Sequence, residues 1–198
     1  MLFRSFRPSL HEAYAEAVAA NLVSPARGLL LFSPVVLFVA LRWTRPVDRF
    51  LSPGVRGLDR VLFGIAVAYL LAVSGLRGSW WAGHSYGARF LSDALVPIWC
   101  LIAPSAVWVA DVLSPGRSGR RSPVVVVAAW AVVFAAGWGV VVNAEGATMR
   151  STLCWNGSPD LNANPGRVWS IRDGQILSGF RAVADDGIRD AFLTRCSD

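Results

Sequence analysis

Residues 77–97, RGSWWAGHSYGARFLSDALVP, concentrate the side chains of this chain that could take part in chemistry. Histidine is the side chain that exchanges protons near neutral pH, and arginine is well suited to binding phosphate. The aromatic and arginine side chains also have structural explanations. Aromatic rings favour membrane interfaces, and Arg89 could pair with Asp93 one helical turn later. The candidate lipid, phosphate or interfacial contacts are Trp80, Trp81, His84, Tyr86, Arg89 and Asp93.

The composition indicates an integral membrane protein. The chain is 54% hydrophobic and 16% charged, with a mean hydropathy of +0.46, whereas soluble domains carry about 25% charged residues. Its apolar residues gather in blocks, and about 20 such residues form a helix that crosses a bilayer. The predicted fold class is an all-α membrane protein with about four transmembrane helices and a small, loop-rich extracytoplasmic C-terminal domain.

The apolar blocks divide the chain into three regions. The first block is short and contains Pro34, while the third contains Pro97 and Pro104, which predicts a kink. The predicted spans are 28–44, 58–76, 90–113 and 123–143. The predicted regions are an N-terminal segment, 1–27, a four-helix transmembrane region, 28–143, and a C-terminal domain, 144–198.

Arginine supplies every basic residue, and its distribution predicts the orientation. Arginines collect after the first and third spans, and the positive-inside rule places such loops in the cytoplasm. We therefore expect a multi-pass protein of a bacterial inner membrane, N-out and C-out. The high pI reflects these loops, so no nucleic-acid partner is expected. The loop arginines are Arg45, Arg49, Arg56, Arg117, Arg120 and Arg121.

The cysteines predict one disulfide. Cys154 and Cys196 both fall in the tail, and a bond between them would close a loop of about 40 residues, worth about 2–4 kcal/mol in an oxidising compartment. Cys100 lies in the third span and is interpreted as a packing residue. The cysteines lack CxxC spacing, so no metal site is expected. His11 and His84 lie outside the spans, which argues against a haem or pigment cofactor.

The N-terminal segment predicts a short amphipathic helix that lies on the membrane surface. The sequence HEAYAEAVAANL, residues 11–22, alternates alanine and glutamate faces, and it lacks the apolar core of a signal peptide. The two predicted stripes are Ala13, Ala17 and Ala20 on one side, and Glu12 and Glu16 on the other.

Three segments together carry a resemblance to a known family. They are SPARGLLLFSP (24–34), SWWAGHSYGARFLSDALVP (79–97) and NPGRVWSIRDGQIL (164–177). In this order and spacing they resemble the C-terminal portion of large multispanning bacterial membrane proteins related to the GT-C glycosyltransferases, which use lipid-phosphate sugars. The resemblance covers most of this chain and corresponds to the C-terminal part of such a protein alone.

The resemblance implies roles for four residues. Arg89 would contact a lipid phosphate, and Trp80, Trp81 and Tyr86 would line the lipid or sugar site. Family members place their catalytic carboxylate in the first outside loop of an N-terminal helical core. This chain shows no counterpart of that core, so no catalytic residue is carried over.

Two functions follow as expectations. The first is a noncatalytic accessory subunit, derived from a truncated glycosyltransferase-like protein, that stabilises a larger membrane complex of photosynthetic or respiratory type. Its partners would be other membrane subunits and lipids. The alternative is the C-terminal part of a split glycosyltransferase that depends on a polyprenyl-phosphate sugar.

The fourth predicted span supplies a candidate docking face. Small residues at three- or four-residue spacing let another helix approach closely, and Trp130 and Trp138 flank them. Packing within the chain is the alternative explanation for the same residues. The stripe consists of Ala128, Ala131, Ala135 and Gly139.

Overall fold

The computed structural model describes residues 13–44, 47, 56–76, 80–114, 122–193 and 196. Within these residues the chain is mostly helical and contains no strand. The elements up to the end of the last long helix are α1 (Tyr14–Val23), α2 (Leu29–Phe32), a 3-10 helix at Pro34–Trp43, α3 (Arg56–Ser74), a 3-10 turn at Arg89–Leu91, α4 (Leu95–Leu113) and α5 (Pro123–Thr148). The tail contains α6 (Ser151–Cys154), 3-10 turns at Pro165–Trp169 and Gln175–Leu177, α7 (Ser178–Asp186) and α8 (Ile188–Leu193).

Three helices are long and apolar enough to cross a membrane. They are α3, α4 and α5, with mean hydropathies of 1.6, 1.8 and 2.4 over their apolar windows. Each has at least 18 residues, which is about 27 Å of helix and close to the thickness of a bilayer core. The predicted helical membrane protein is confirmed at this level.

The first predicted span, 28–44, is not a single α-helix. It is divided at Ser33, where the backbone leaves the helical region (φ −143°, ψ 66°) before Pro34. Proline cannot donate to the helical ladder and its ring clashes with the preceding turn. The following 3-10 helix has 10 residues and rises about 2 Å per residue, so it extends about 20 Å.

The boundaries of the other spans also differ from those predicted. Helix α4 begins at Leu95 rather than at residue 90, so Pro97 lies in its first turn, where a missing N–H costs little, and Pro104 alone is interior. Helix α5 continues to Thr148, five residues past the predicted end at 143. Contacts with the tail, described below, hold this last turn in helical form.

The core of the bundle surrounds α4, which packs against the long 3-10 helix, α3 and α5. Leu101 and Trp108 of α4 are buried there with Val132 of α5. At the end of the bundle away from the tail, Arg42 and Asp59 form a buried ion pair. The arginine-rich loops that predict the orientation lie outside the described residues, as does the side chain of Arg56.

Helix α1 packs its alanine face against protein, and its position relative to the membrane surface stays a prediction. Ala17 and Ala20 are fully buried among the tryptophans of the loop and the tail. The small alanine side chains allow these large rings to approach the helix closely. Asn21 donates to Ser74 Oγ of α3 at 3.1 Å. We call α1, the loop 80–88 and residues 149–193 the tail layer. Of the predicted acidic stripe, Glu12 lies outside the described residues, while Glu16 is exposed and accepts the Trp169 indole N–H at 3.0 Å.

The predicted disulfide between Cys154 and Cys196 is present, with a Cα–Cα distance of 4.9 Å. It closes a loop whose ends are 42 residues apart, so we expect Cys154→Ser to cost about 2–4 kcal/mol of unfolding free energy. The variant should also lose the mobility difference between reducing and nonreducing gels. Cys100→Ser is the control, because Cys100 is exposed and unpaired. Native protein whose mobility is unaffected by reductant would contradict the bond.

Candidate functional site

Arg27 lies at the centre of the tail layer with its side chain fully buried. The turn between α1 and α2 places it there. Ser24 Oγ accepts the backbone N–H of Arg27 at 3.0 Å, and a Cβ on Gly28 would lie 2.5 Å from the Ser24 nitrogen. Glycine is therefore required at position 28 for the turn that directs Arg27 inward.

Every N–H of the Arg27 guanidinium has an acceptor. A guanidinium carries five N–H donors. Nε donates to the Trp81 carbonyl at 2.5 Å, and the Nη atoms donate to Ala26 O, Gln175 Oε1, Gly83 O and Asn156 Oδ1. All five acceptors are neutral oxygens. Burial without a charged partner lowers the pKa of Arg27 from 12.5 to about 10.

Arg27 joins the three segments that carry the family resemblance. It belongs to 24–34, the Trp81 and Gly83 carbonyls belong to 79–97, and Gln175 belongs to 164–177. Gln175 is also fully buried, and its Nε2 donates to the Ser85 carbonyl at 2.9 Å. No local pattern in the sequence marks Arg27 or Gln175, although both lie within the segments that carry the family resemblance.

Trp80 and Trp81 lie inside the tail layer. Their exposed fractions are 5% and 7%, and their rings meet edge to face with centroids 5.4 Å apart. The Trp81 indole N–H donates to Asn162 Oδ1 at 3.2 Å. Both rings pack against the alanines of α1 and therefore do not line an open cavity.

Tyr86 connects the loop to α5. Its ring packs edge to face on Phe32 at 5.1 Å, and a Cβ on Gly146 would lie 2.0 Å from that ring. Its hydroxyl lies 3.0 Å from the Val142 carbonyl oxygen and 3.2 Å from Glu145 Oε2. Burial and the nearby carboxylate raise the pKa of Tyr86.

Glu145 caps α7 from outside that helix. The carboxylate is buried, and its Oε1 accepts the backbone N–H of Gly179 at 2.6 Å and of Phe180 at 3.3 Å. A carboxylate at a helix N-terminus satisfies free N–H groups and complements the helix dipole. This contact explains why α5 continues past its predicted end. Nothing in the apolar pattern of the sequence marks Glu145.

His84 has a partner 76 residues away in the tail. Its Nε2 lies 2.8 Å from Asp160 Oδ1 and 3.0 Å from Asn162 Nδ2. The hydrogen bond from His84 lowers the pKa of Asp160. Both side chains of the pair are about half exposed, at 52% and 45%, so the contact is solvated and weak.

Arg89 and Asp93 do not form the ion pair that their spacing suggests. Asp93 accepts the Tyr69 hydroxyl at 2.8 Å, while Arg89 is exposed and makes no ion pair with any residue that the structure describes. The predicted i, i+4 contact does not form, because the 3-10 turn ends at Leu91 and α4 begins only at Leu95. No continuous helix therefore connects the two positions.

Two cavities share Leu29 and Leu91 in their lining, and Arg89 lines the smaller of them. The smaller, about 130 Å³, is partly polar and is lined by Arg89 and Asn143 among others. The larger, about 300 Å³, is apolar and lies between the first helical segment, α3 and α4. A cation in a cavity that shares two lining residues with an apolar cavity is chemically suited to an anionic amphiphile.

The predicted docking stripe on α5 does not form a single exposed face. Ala135 and Gly139 are buried, Ala128 is half-buried and Ala131 is exposed. A Cβ on Gly139 would lie 3.5 Å from the Phe32 carbonyl oxygen, so the glycine admits the broken end of α2.

Side chains of α5 also satisfy the carbonyl groups that the break in the first segment leaves free. The Trp138 indole N–H donates to Leu31 O at 2.9 Å, and Asn143 Nδ2 donates to Phe32 O at 3.1 Å. Packing within the chain is therefore the explanation for Ala135, Gly139 and Trp138.

The candidate site therefore consists of a hydrogen-bonded network in the tail layer and two cavities, one apolar and one partly polar. Within the part of the chain that the structure describes, no group of three histidine, cysteine or acidic side chains is placed to hold a metal ion. In comparisons with known proteins, no family model, no curated protein and no solved structure matches this chain.

Proposed function

We propose that this chain is a noncatalytic subunit of a larger assembly in a bacterial inner membrane, of photosynthetic or respiratory type. The observation that carries the proposal is Trp130 on α5, which is 58% exposed and has no hydrogen-bond acceptor among the described residues. Trp130 lies two turns, about 10 Å, from Pro123 at the start of the helix. Arg120 and Arg121 precede that start, so the indole lies well inside the hydrocarbon.

An indole N–H within hydrocarbon lacks the water that would satisfy it elsewhere. A neighbouring membrane helix supplies an acceptor that lipid chains lack. Phe134, one turn further along, is 76% exposed and provides the apolar surface beside it. The proposed docking face is therefore centred on Trp130, Ala131 and Phe134, in place of the predicted small-residue stripe.

The tail layer supports a structural role. Arg27, Gln175 and Glu145 direct their polar atoms to groups of the same chain. In this proposal the segment 29–43 is the fourth span, and residues 149–198 form an extracytoplasmic domain. The Cys154–Cys196 disulfide supports an extracytoplasmic location for this domain, because disulfides persist in oxidising compartments.

Affinity purification from native membranes in a mild detergent tests the docking face. We expect Trp130→Phe to lower the recovery of partner subunits about threefold to tenfold, as loss of one interhelical hydrogen bond predicts. Trp99→Phe is the matched control, because Trp99 is also exposed, at 54%, but lies one turn from the tail-side end of α4, where headgroup oxygens reach the indole. A wild-type chain without partners, or equal recovery with both variants, would overturn the proposal.

The two cavities favour a second candidate, the C-terminal part of a split glycosyltransferase that depends on a polyprenyl-phosphate sugar. In this case Arg89 contacts the phosphate, the apolar cavity takes the first prenyl units and a partner chain supplies the carboxylate. The same purification distinguishes the candidates. A partner with a multi-helix core, together with a bound polyprenyl phosphate that Arg89→Gln releases, would establish the second.

A further inference from the structure

Helix α5 sets the depth of the tail layer relative to the bilayer. The helix has 26 residues, about 39 Å at 1.5 Å per residue, and a bilayer core takes about 20 residues or 30 Å. A hydrocarbon core that begins at the level of Pro123 therefore ends near Asn143. Glu145 and the last turn of α5 project into the headgroup region.

Helix α7 begins at this same depth. Glu145 Oε1 accepts the backbone N–H groups of Gly179 and Phe180, so the first turn of α7 lies within hydrogen-bond distance of a side chain at headgroup level. Leu177 and Phe180 are 40% and 37% exposed there. Large apolar side chains at that depth lie beside lipid.

The loop before α7 lies against the same turn. The Arg181 guanidinium donates to the carbonyl oxygen of Gly174 at 2.6 Å and also to that of Arg172. These bonds hold the loop beside α7, and Ile171 on the loop is 78% exposed. Arg172 is exposed, and its guanidinium makes no ion pair within the described part of the chain.

The surface formed by Ile171, Arg172, Leu177 and Phe180, here called the headgroup patch, therefore combines exposed apolar side chains with an uncompensated cation. Apolar side chains partition to the boundary between headgroups and acyl chains, and an arginine beside them reaches the phosphate level. An anionic headgroup complements this charge. A lipid surface therefore supplies a contact both for the apolar side chains and for the cation of this patch.

We propose that the headgroup patch inserts into the headgroup region of the membrane that this chain spans, and that Arg172 binds the phosphate of an anionic phospholipid. The occupant is the lipid surface itself. The patch is separate from the two cavities and from the docking face on α5, so the proposal does not rest on either proposed function.

Spin-label accessibility tests the insertion. Nitroxides are attached to Ile171→Cys and Phe180→Cys in a Cys100→Ala background, with the full chain in nanodiscs that contain phosphatidylglycerol and phosphatidylcholine. We expect both labels to be more accessible to oxygen than to a water-soluble nickel chelate. A label at Ala163→Cys, which is exposed on the turn near His84, is the control within the same layer and should show the reverse.

Lipid retention tests the anionic preference. We expect Arg172→Gln to lower the retention of phosphatidylglycerol relative to phosphatidylcholine about fivefold, since one cation near such a surface contributes about that much. Arg189→Gln, an exposed arginine of α8 outside the patch, should leave the ratio unchanged. Gel filtration of each variant checks that it remains assembled.

Three results would overturn the proposal. Labels at 171 and 180 that are as accessible to nickel as the label at 163 would place the patch in water. Labels at 171 and 180 that are inaccessible to both reagents would show that protein, rather than lipid, covers the patch. Equal loss of phosphatidylglycerol in both arginine variants would remove the specific role of Arg172.

Discussion

Replacement of Arg27 by methionine is expected to unfold the tail layer while the membrane helices remain inserted. The substitution removes the donor from three buried oxygens, those of Trp81 O, Ala26 O and Asn156 Oδ1. Gln175 Oε1 and Gly83 O keep the backbone N–H groups of Gly87 and Ser85 as donors. Each orphaned acceptor costs about 1–3 kcal/mol. The buried charge itself is disfavoured, since the pKa of Arg27 falls from 12.5 to about 10, which corresponds to about 3 kcal/mol.

The orphaned acceptors therefore outweigh the relief of removing the charge, and we expect a net loss of about 3–5 kcal/mol. Thermal unfolding followed by tryptophan circular dichroism, together with proteolysis of residues 149–193, measures it. Arg189→Met is the control, because Arg189 is exposed and lies outside the headgroup patch, and a surface change of this kind stays within about 0.5 kcal/mol. Equal unfolding temperatures for the two variants would show that Arg27 does not hold the layer together.

Gly146→Ala is expected to separate the loop from α5. The new Cβ would lie 2.0 Å from the Tyr86 ring, so the ring must move and its hydroxyl must leave Val142 and Glu145. Overpacking of this kind costs about 1–3 kcal/mol, and the lost hydrogen bond adds about 1 kcal/mol. Thermal unfolding in detergent should show a decrease of about 2–4 kcal/mol.

Gly137→Ala provides the matched control on the same helix. Its Cβ would meet nothing within 4 Å, so the higher helix propensity of alanine should stabilise the protein by up to about 1 kcal/mol. Tyr86→Leu should reduce the penalty of Gly146→Ala, because the smaller side chain removes the clash. A Gly146→Ala variant as stable as Gly137→Ala would contradict the close packing of Tyr86.

Properties that depend on local composition could be predicted from the sequence. The apolar length of α3, α4 and α5 follows from the residues of each segment. A helix that crosses a bilayer needs about 20 apolar residues, whatever packs beside it. The Cys154–Cys196 bond was predicted because the tail holds two cysteines on one predicted side of the membrane. The alanine stripe of α1 likewise follows from local spacing, whereas the tryptophan rings that pack on it come from distant segments.

Properties that depend on distant partners required the tertiary structure. The acceptors of Arg27 are up to 148 residues away, and Asp160 is 76 residues from His84, so no local spacing reveals either contact. Asp93 accepts a hydrogen bond from Tyr69, 24 residues away, rather than pairing with Arg89. The sequence by itself determined that α3, α4 and α5 are long and apolar enough to cross a membrane. The tertiary structure decided which polar residues hold them together, because a hydrogen bond depends on where two segments meet in space.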